Sequence, residues 1–320
     1  MSGAPVVVLA PTPLKSLAMR LKEVSPQHCA WRAYLPQQLQ QQPEPLSNNA
    51  ASAEDVDGLL PLESSSSIAG QVWKLSQDPQ GCRLVQQALE KACSEEERCA
   101  LAAELHDHVV EALRCPHANH VLQKCINTMQ PESLQFIIDE LTQQDGSVVR
   151  AAKHRFGSRI LRHLLKVCPP HQFSKIAASL LEQAEKLACH SFGNLVLQCL
   201  MKFGTERHRY QLARCVEQNV TAICRLGFGG AFIETTMTYA ASEDQLWIAR
   251  ACAQDAKVML ALSKTKLGHK GALLVLDTLQ GEERRRACAN LTQHLENLRS
   301  STCGAHVVQF LEKECDGSCL

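Results

Sequence analysis

The chain has 320 residues and a formal net charge of zero, with 33 basic and 33 acidic side chains. Hydrophobic residues make up 45% of it, as in an ordinary globular protein, and no apolar run reaches the roughly 18 residues of a membrane-spanning helix. These values argue against membrane attachment and against a globally basic nucleic-acid binder, while a local basic surface stays open. The apolar run at 6–10 is too short for a secretory signal, so we expect a cytoplasmic protein, with a nuclear or nucleolar address as the alternative.

Sixteen cysteines are spread along the chain, and no secretory signal precedes them. Disulfide frameworks belong mainly to secreted chains, so we expect reduced thiols here. Because a thiol behaves as a small hydrophobic group, most of the cysteines are expected to be buried in the core.

Residues 1–66 differ in composition from the rest of the chain. They include a segment rich in glutamine, proline and serine at 36–55 and a run of serines at 64–67. Such low-complexity sequence cannot bury enough apolar surface to order itself. We therefore predict a disordered tail over 1–66, with one amphipathic stretch at 14–24, and a folded domain over 67–320.

From residue 68 onward the sequence repeats itself. Each repeat contains a small residue followed by a short window with apolar residues at helical spacing. Seven windows match with steps of 37, 39, 36, 36, 39 and 36 residues: GCRLVQ (81–86), ANHVLQ (118–123), GSRILR (157–162), GNLVLQ (193–198), GGAFIE (229–234), GHKGAL (268–273) and GAHVVQ (304–309). A fixed period of this length is typical of solenoids built from stacked repeats.

Each repeat divides into three helical segments. In the second repeat, segment 106–115 precedes the window and segment 131–141 follows it, both with apolar residues at helical spacing. Prolines such as Pro116 and Pro131 lie at the joints, and no alternating strand pattern occurs. A unit of two or three helices cannot bury its apolar face alone, so neighbouring units must stack. The sequence therefore predicts an all-α solenoid of about seven three-helix repeats.

The second helix of each repeat has an apolar and a polar face. We number its positions from the residue after the small opening residue, so that position 1 of the second repeat is Asn119. At about 100° per residue, position 5 (Gln123) lies beside position 1, and position 2 (His120) is close to both. Positions 3, 4 and 7 form the apolar stripe, which includes Val121 and Leu122. Positions 1, 2 and 5 are therefore expected to be exposed.

Positions 1, 2 and 5 carry an unusual set of side chains. Amides and short polar groups dominate positions 1 and 5, and planar Arg or His recurs at position 2, where solvent alone would accept Lys and Glu. The seven sets are Cys82/Arg83/Gln86, Asn119/His120/Gln123, Ser158/Arg159/Arg162, Asn194/Leu195/Gln198, Gly230/Ala231/Glu234, His269/Lys270/Leu273 and Ala305/His306/Gln309. Because these residue types recur at the same positions in seven repeats, a ligand-binding face is favoured over an ordinary solvent-exposed helix face.

On these residues the chain resembles the Pumilio (PUF) family of single-stranded RNA-binding proteins. The windows GCRLVQ, ANHVLQ and GNLVLQ carry the resemblance, which covers residues 68–320. It implies a right-handed, curved superhelix in which each repeat contacts one base with two or three side chains. Family members typically have eight repeats, whereas seven windows are found here, which fits an end truncation or a smaller variant.

The resemblance implies a base for each of the first five repeats. The edge of uracil suits an amide that carries both a donor and an acceptor, the two N–H donors of guanine suit a carboxylate, and the acceptors of cytosine suit a guanidinium. The implied pairs are Asn119 with Gln123 and Asn194 with Gln198 for uracil, Gly230 with Glu234 for guanine, Cys82 with Gln86 for adenine, and Ser158 with Arg162 for cytosine.

Position 2 is expected to stack between bases, which is worth about 1–3 kcal/mol per base for a planar side chain. The planar side chains are Arg83, His120, Arg159 and His306, and the weaker platforms are Leu195 and Ala231. The set His269/Lys270/Leu273 in the sixth repeat matches no base-reading pair, and Ala305 with Gln309 in the seventh is ambiguous. Because RNA runs antiparallel to the repeats in this family, the resemblance implies a target such as 5′-N-N-G-U-C-U-A-3′.

No pattern typical of an enzyme, a cofactor site or a metal site occurs. Walker, GxGxxG and HExxH motifs are absent from the sequence. Cys115 is close to His117 but lacks a third group to orient the base, so packing is favoured over catalysis. Cys315 and Cys319 lack a second pair of ligands for zinc. We expect a protein that is not an enzyme and that carries no cofactor or metal.

Three functions stay open at this point. The first is a monomeric regulator that binds single-stranded RNA, with messenger RNA 3′ untranslated regions as the expected target, and recruits regulatory proteins through its convex face or its N-terminal tail. The second is an α-solenoid scaffold that holds a peptide. The third is a PUF-like ribosome-biogenesis factor that binds structured ribosomal RNA. The planar residue at position 2 favours the first.

The charge of the repeat domain sets an expectation for salt dependence. Residues 67–320 carry 29 basic and 27 acidic side chains. With so small an excess of cations, base contacts and stacking should contribute more to affinity than phosphate attraction. Binding should therefore depend less on salt than it does for a basic-patch protein.

Overall fold

A computed structural model describes residues 68–317, with side chains described to residue 314. The predicted tail over 1–66 and Cys319 lie outside the described residues, so the disorder of the tail and the domain boundary stay predictions. Within 68–317 the chain forms helices and no strands. None of these helices is both long enough and apolar enough to cross a bilayer.

Nineteen α-helices make up the described part of the chain. A 3₁₀ turn at Pro131–Leu134 leads into the sixth of them. In chain order they are α1 (Val72–Ser76), α2 (Gly81–Lys91), α3 (Glu95–Ala103), α4 (Val109–Ala112), α5 (Ala118–Thr128), α6 (Gln135–Gln143), α7 (Ser147–Lys153), α8 (Gly157–Val167), α9 (Ser174–Glu182), α10 (Ala184–Ala188), α11 (Gly193–Phe203), α12 (Glu206–Cys224), α13 (Gly229–Tyr239), α14 (Ser242–Gln254), α15 (Ala256–Lys264), α16 (His269–Thr278), α17 (Gly281–Thr292), α18 (Leu295–Arg299) and α19 (Thr302–Gly317).

The helices fall into seven repeats, as the sequence period predicts. The second helices of the repeats are α2, α5, α8, α11, α13, α16 and α19, and each packs against the next one along the chain. They form one continuous layer. Their apolar stripes lie in the core, where Val121, Leu122 and Cys125 are fully buried. The predicted all-α solenoid of three-helix units is confirmed.

The short first helix of a repeat is capped by a glutamate from the third helix of the same repeat. The Glu104 carboxylate accepts the Gly70 N–H at 2.5 Å and the Val72 N–H at 2.8 Å. One repeat later, the Glu140 carboxylate accepts the Asp107 N–H at 2.7 Å and the first N–H of α4 at 3.0 Å. Gly70 and Asp107 both have positive φ angles, of 80° and 64°. The turn and its glutamate therefore tie a helix of one turn to a longer one.

The small residue that opens each second helix is required by a close approach. A Cβ atom at Gly157 would lie 2.6 Å from the carbonyl oxygen of Ala151, and one at Gly193 would lie 2.8 Å from that of Leu187. Both oxygens belong to the first helix of the same repeat. Glycine avoids this collision, and the second repeat, with Ala118, accommodates one Cβ atom, which explains why the sequence windows share a small first letter.

The fourth and fifth repeats are joined by a kinked helix. In α12 the backbone of Asn219 leaves the helical region, with φ −120° and ψ 16°. Its side-chain Nδ2 donates to the carbonyl oxygen of Cys215 at 3.0 Å, which satisfies one acceptor at the break. The part of α12 before Asn219 is the third helix of the fourth repeat, and the part after it is the first helix of the fifth.

The burial of the cysteines differs from the prediction. No disulfide joins cysteines within the described residues, as expected of thiols. Only four are buried, however, while Cys93 and Cys189 are exposed and seven others are intermediate, so the prediction that most belong to the core is wrong. The reason is their location at the edge of the core: Cys115, in the turn between α4 and α5, and Cys224, at the end of α12, pack against it while partly exposed.

Candidate nucleic-acid interface

The structure buries position 1 of the second helix, where the sequence predicted exposure. Asn119 and Asn194 are both 0% exposed, and Cys82, Ser158 and Gly230 are buried as well. In the last two repeats, His269 is half-buried and Ala305 is exposed. Position 1 fails to reach solvent because the next second helix and the preceding loop both cover it.

The two buried asparagines use their amides inside the protein. The Asn119 Nδ2 donates to the carbonyl oxygens of Cys115 at 2.8 Å and Pro116 at 2.9 Å. Asn194 makes the same pair of bonds to the loop before α11, at 2.9 and 2.8 Å. A buried polar group must be bonded in this way to avoid a desolvation cost. Position 1 therefore fixes the start of the second helix.

Position 5 is the polar position that stays accessible. The Nε2 groups of Gln123 and Gln198 donate to the Oδ1 atoms of Asn119 and Asn194, at 2.9 and 2.8 Å. In the third repeat, the Nε of Arg162 donates to the backbone oxygen at position 1 of the same helix, at 3.2 Å. The side chains at position 5 are half-buried in the first six repeats and exposed in the seventh: Gln86, Gln123, Arg162, Gln198, Glu234, Leu273 and Gln309.

Position 2 provides platforms of very different size. Arg83, Lys270 and His306 are exposed, and His120, Arg159 and Leu195 are half-buried. Ala231 is only 7% exposed and therefore offers almost no surface, contrary to its predicted role as a weak platform. The rings of His269 and His306 lie beside each other, with centroids 5.5 Å apart and planes tilted by 30°.

The fifth and sixth repeats approach each other through glycines. A Cβ atom at Gly230 would lie 2.6 Å from the Cα of Gly268. A Cβ at Gly271 would lie 3.3 Å from the backbone nitrogen of Glu234. Gly230 thus lies against the neighbouring backbone, where the sequence predicted an open edge. Of the guanine pair, Glu234 alone presents a polar group.

The Glu234 carboxylate lies in a mixed electrostatic environment. Burial raises its pKa, and the nearby cations Lys270 and Lys202 oppose that rise. These two lysines belong to the second helices on either side of α13. A half-buried carboxylate between two cations is suited to accept hydrogen bonds from a neutral N–H pair.

Positive charge is concentrated in the third repeat. No acidic residue occurs between positions 146 and 181, although the whole chain is neutral. Burial lowers the pKa of Arg159 and of Arg162, and the neighbouring arginines add to that effect. Burial and Arg159 also lower the pKa of His120 on the adjacent helix. The neutral total predicted a modest field, but it hid this local excess of cations.

A set of helix caps was missed in the sequence. In five of the seven repeats, the side chain three residues before the small opening residue accepts the backbone N–H of that residue. These residues share a polar side chain but no single chemistry, so residue type alone gave little signal. The acceptors are Asp78 Oδ2 at 2.6 Å, Cys115 Sγ at 3.4 Å, His154 Nδ1 at 3.4 Å, His190 Nδ1 at 3.3 Å and Ser301 Oγ at 3.0 Å.

The two histidine caps predict a loss of stability in acid. Burial lowers the pKa of His154, with Arg114 and Arg155 adding to the effect, and burial with Lys153 lowers the pKa of His190. Protonation of Nδ1 would turn the acceptor into a donor that faces a backbone N–H. Because the folded pKa lies below the unfolded value, this stability is complete above about pH 6.5 and falls as the pH drops through the folded pKa.

Thermal melting at pH 7.5 and 5.5 checks this expectation, with the double variant His154→Asp/His190→Asp as comparison. Asp78 fills the same position in the first repeat, which shows that an aspartate can cap this joint. One cap is worth about 1 kcal/mol, and each kcal/mol shifts Tm by roughly 2–4 °C at this size. The wild type should therefore lose about 4–8 °C more than the variant on acidification. An equal loss in both proteins would rule out the caps as its source.

The stacked repeats and the layer of second helices define an α-solenoid in which each repeat presents positions 2 and 5 of its second helix on one face. Four segments match the sequence profile of the Pumilio-family RNA binding repeat, at residues 71–106, 108–142, 147–181 and 183–215. Each matched segment begins near a first helix and contains one second helix. Over these four segments the chain is built from repeats of the Pumilio family. The last three repeats, beyond residue 215, are recognised by their helix order and the shared opening residue.

Curated relatives match over a part of their length. The chain is 28% identical to Pumilio homolog 9 of Arabidopsis thaliana over 111 residues, which are 35% of this chain and 20% of that protein. It is 33% identical to Suppressor protein MPT5 of Saccharomyces cerevisiae over 76 residues, which are 24% of this chain and 9% of that protein. The matches thus span a fifth or less of these two relatives.

Solved structures share the fold at low identity. PUF-8 in complex with PBE-RNA superposes with a TM-score of 0.66 at 22% identity, over 78% of this chain and 73% of that one. The Puf3 RNA binding domain bound to a Cox17 RNA 3′ UTR recognition sequence gives 0.65 at 20% identity, over 77% and 75%. The arrangement of repeats is therefore the same in these proteins.

Proposed function

We propose that this protein binds single-stranded RNA in a sequence-specific way, with one base at each repeat. The observation that carries the proposal is the row of accessible side chains at position 5 on seven adjacent second helices. Five of the first six repeats place a half-buried amide, guanidinium or carboxylate there. The names of the structural neighbours, which are RNA complexes, support the same ligand class.

The assignment of bases rests mainly on position 5. Gln123 and Gln198 each carry a donor and an acceptor, which suits uracil, while Glu234 suits guanine. Arg162 offers donors only, which suits cytosine. Since position 1 is buried in the first five repeats, it acts by orienting position 5, and the target stays 5′-N-N-G-U-C-U-A-3′.

Stacking at position 2 divides the repeats into two groups. Arg83, His120 and Arg159 supply planar faces in the first three repeats, next to the excess of cations in the third. The buried Ala231 supplies none. We infer that the first three repeats hold the 3′ end of the RNA more tightly than the fifth and sixth hold its 5′ part, since each stacked base adds about 1–3 kcal/mol.

The biological setting follows from this ligand. We propose that the protein acts as a monomer in the cytoplasm on 3′ untranslated regions of messenger RNA, and regulates their translation or stability through recruited proteins. A catalytic role is not part of the proposal, because RNA binding alone accounts for the site. A scaffold that holds only a peptide at this face would not need a polar side chain at the same helix position in successive repeats.

A single substitution tests the base assignment. Glu234→Gln should weaken binding to 5′-AAGUCUA-3′ by about 5–150-fold, because one bidentate base contact is worth about 1–3 kcal/mol. It should also relax the preference for guanine at the third base, measured with four RNAs that differ only there. The control is Glu182→Gln, at an exposed glutamate on α9. An unchanged preference for guanine in Glu234→Gln would refute the assigned register.

A further inference from the structure

Exposed apolar side chains are concentrated in one part of the domain. Among the described residues, the large hydrophobic side chains that are exposed are Val167, Phe203, Tyr210 and Tyr239. Phe203 is 40% exposed, Tyr239 44% and Tyr210 49%. All four belong to the third, fourth and fifth repeats. A cluster of this kind on an otherwise polar surface is typical of a binding site.

Three of these residues share one register. Val167, Phe203 and Tyr239 are the last residues of α8, α11 and α13, and each lies ten residues after the opening glycine of its helix. In the repeats on either side, the same position holds the polar residues Thr128 and Thr278. The fold therefore does not require an apolar residue at this position. We call Val167, Phe203 and Tyr239 the helix-end row.

The row is continuous across the three repeats. Helix α8 packs on α11, and α11 packs on α13. The Nζ of Lys202, next to Phe203 in the fourth repeat, lies 5.7 Å from the ring centroid of Tyr239 in the fifth. A contact of this length is a cation–π interaction. The residues of the row in neighbouring repeats are thus close enough to contact a single ligand.

The surroundings of the row are mainly basic. Lys166 is exposed beside Val167, Lys202 lies beside Phe203, and Arg207 is exposed in the first turn of α12. The exposed acidic residues nearby are Glu206 in the same turn and Glu243 in the first turn of α14, after Tyr239. Since cations flank an apolar row, the complementary ligand is both apolar and acidic.

The spacing of the row fits an extended chain. Packed helices lie about 8–10 Å apart. A peptide in the extended polyproline II conformation rises about 3.1 Å per residue with three residues per turn, so every third side chain faces the same side. Three residues of an extended peptide therefore span one step of the row. The row is also separate from the base positions, because it lies five residues beyond position 5, about 7.5 Å along the helix axis and about 140° around it.

We propose that the helix-end row binds an extended acidic peptide of a partner protein, with apolar side chains at every third residue. Its apolar side chains pack on Val167, Phe203 and Tyr239, and its carboxylates face Lys166, Lys202 and Arg207. The peptide would reach the protein beside the RNA, so both ligands can be bound at once. Such a surface gives the protein a way to recruit an effector while RNA occupies the base positions.

The test uses the full chain and two labelled peptides of equal composition. The peptide DLDELDELD places leucine at every third residue, and DEDLLLDED groups the three leucines. Fluorescence anisotropy should show at least about tenfold tighter binding of the first, weakening as salt rises. The variant Phe203→Ser/Tyr239→Ser should lose this binding at least tenfold, and Arg207→Glu should weaken it. The control Thr128→Ser, at the same register in α5, should change nothing.

Separate outcomes would overturn the proposal. Equal affinity for the two peptides would show that spacing plays no part, and an unchanged affinity in Phe203→Ser/Tyr239→Ser would show that the row is not the site. Loss of 5′-AAGUCUA-3′ binding in that variant, with no effect on the peptide, would make the row an RNA contact. Both side chains are exposed, so the variant should keep the wild-type melting temperature, which is measured in parallel. If the wild type fails to bind RNA, the proposed function is wrong, but the peptide measurements still test the helix-end row independently.

Discussion

Replacing Gln123 and Gln198 together with alanine is expected to weaken binding of 5′-AAGUCUA-3′ by about 30–1000-fold, measured by fluorescence anisotropy. Each glutamine supplies the accessible amide of its repeat, and each lost base contact costs about 1–2 kcal/mol. The loss should be specific to sequence: RNAs with other bases at the two uracil positions should bind wild type and variant more equally.

The matched control is Gln143→Ala, at an exposed glutamine at the end of α6. It removes the same side chain from a helix that does not contribute to the layer of second helices. Gln143→Ala should melt like the wild type, and the double variant should melt lower because the buried Oδ1 atoms of Asn119 and Asn194 lose their donors. An affinity of the double variant within about threefold of wild type, a difference of about 0.7 kcal/mol, would exclude these amides as base contacts.

The substitution Asn194→Leu should lower the free energy of unfolding by about 2–3 kcal/mol. Leucine branches at the same atom as asparagine but is bulkier, and it cannot donate to the carbonyl oxygens of His190 and Ser191, which Asn194 bonds at 2.9 and 2.8 Å. It also removes the acceptor of Gln198, so the affinity for RNA should fall even where the variant stays folded. Urea unfolding and amide hydrogen exchange at α11 measure the two parts of the effect.

The control for this substitution is Asn127→Leu, at an exposed asparagine in α5. Its cost should stay within about 0.5 kcal/mol. Because repeats contact mainly their neighbours, exchange should rise in α8, α11 and α13 before it rises at the ends of the domain. Equal costs for the two substitutions would mean that the buried amide does not hold the start of α11.

The sequence was sufficient for the fold because its signals repeat. The small opening residue recurs since a Cβ at positions such as Gly193 would collide with the preceding helix, and the apolar stripe recurs since it is buried in every unit. Seven copies of a weak local pattern make a strong one. The helical wheel also placed position 5 correctly on an accessible face, because that face depends only on the geometry of a single helix.

Position 1 could not be placed from the sequence, because its burial depends on the neighbouring helix. A wheel treats Asn119 and Gln123 alike, but the first lies under the loop before α5 and the second beside an open surface. The close approach of Gly230 to Gly268 likewise depends on the packing of α13 on α16. The helix caps were missed for a different reason: five side chains of four chemistries fill one role, and histidine alone occurs twice among them.

The central claim is that position 5 of successive repeats selects successive bases of a single strand. In-vitro selection with the full chain and a random RNA library tests it most directly. The account predicts enriched single-stranded sequences with a G-U core followed by a U-A two bases later, and with little preference at the two bases before the guanine. Enrichment of duplex RNA, or of single strands without the G-U core, would contradict it.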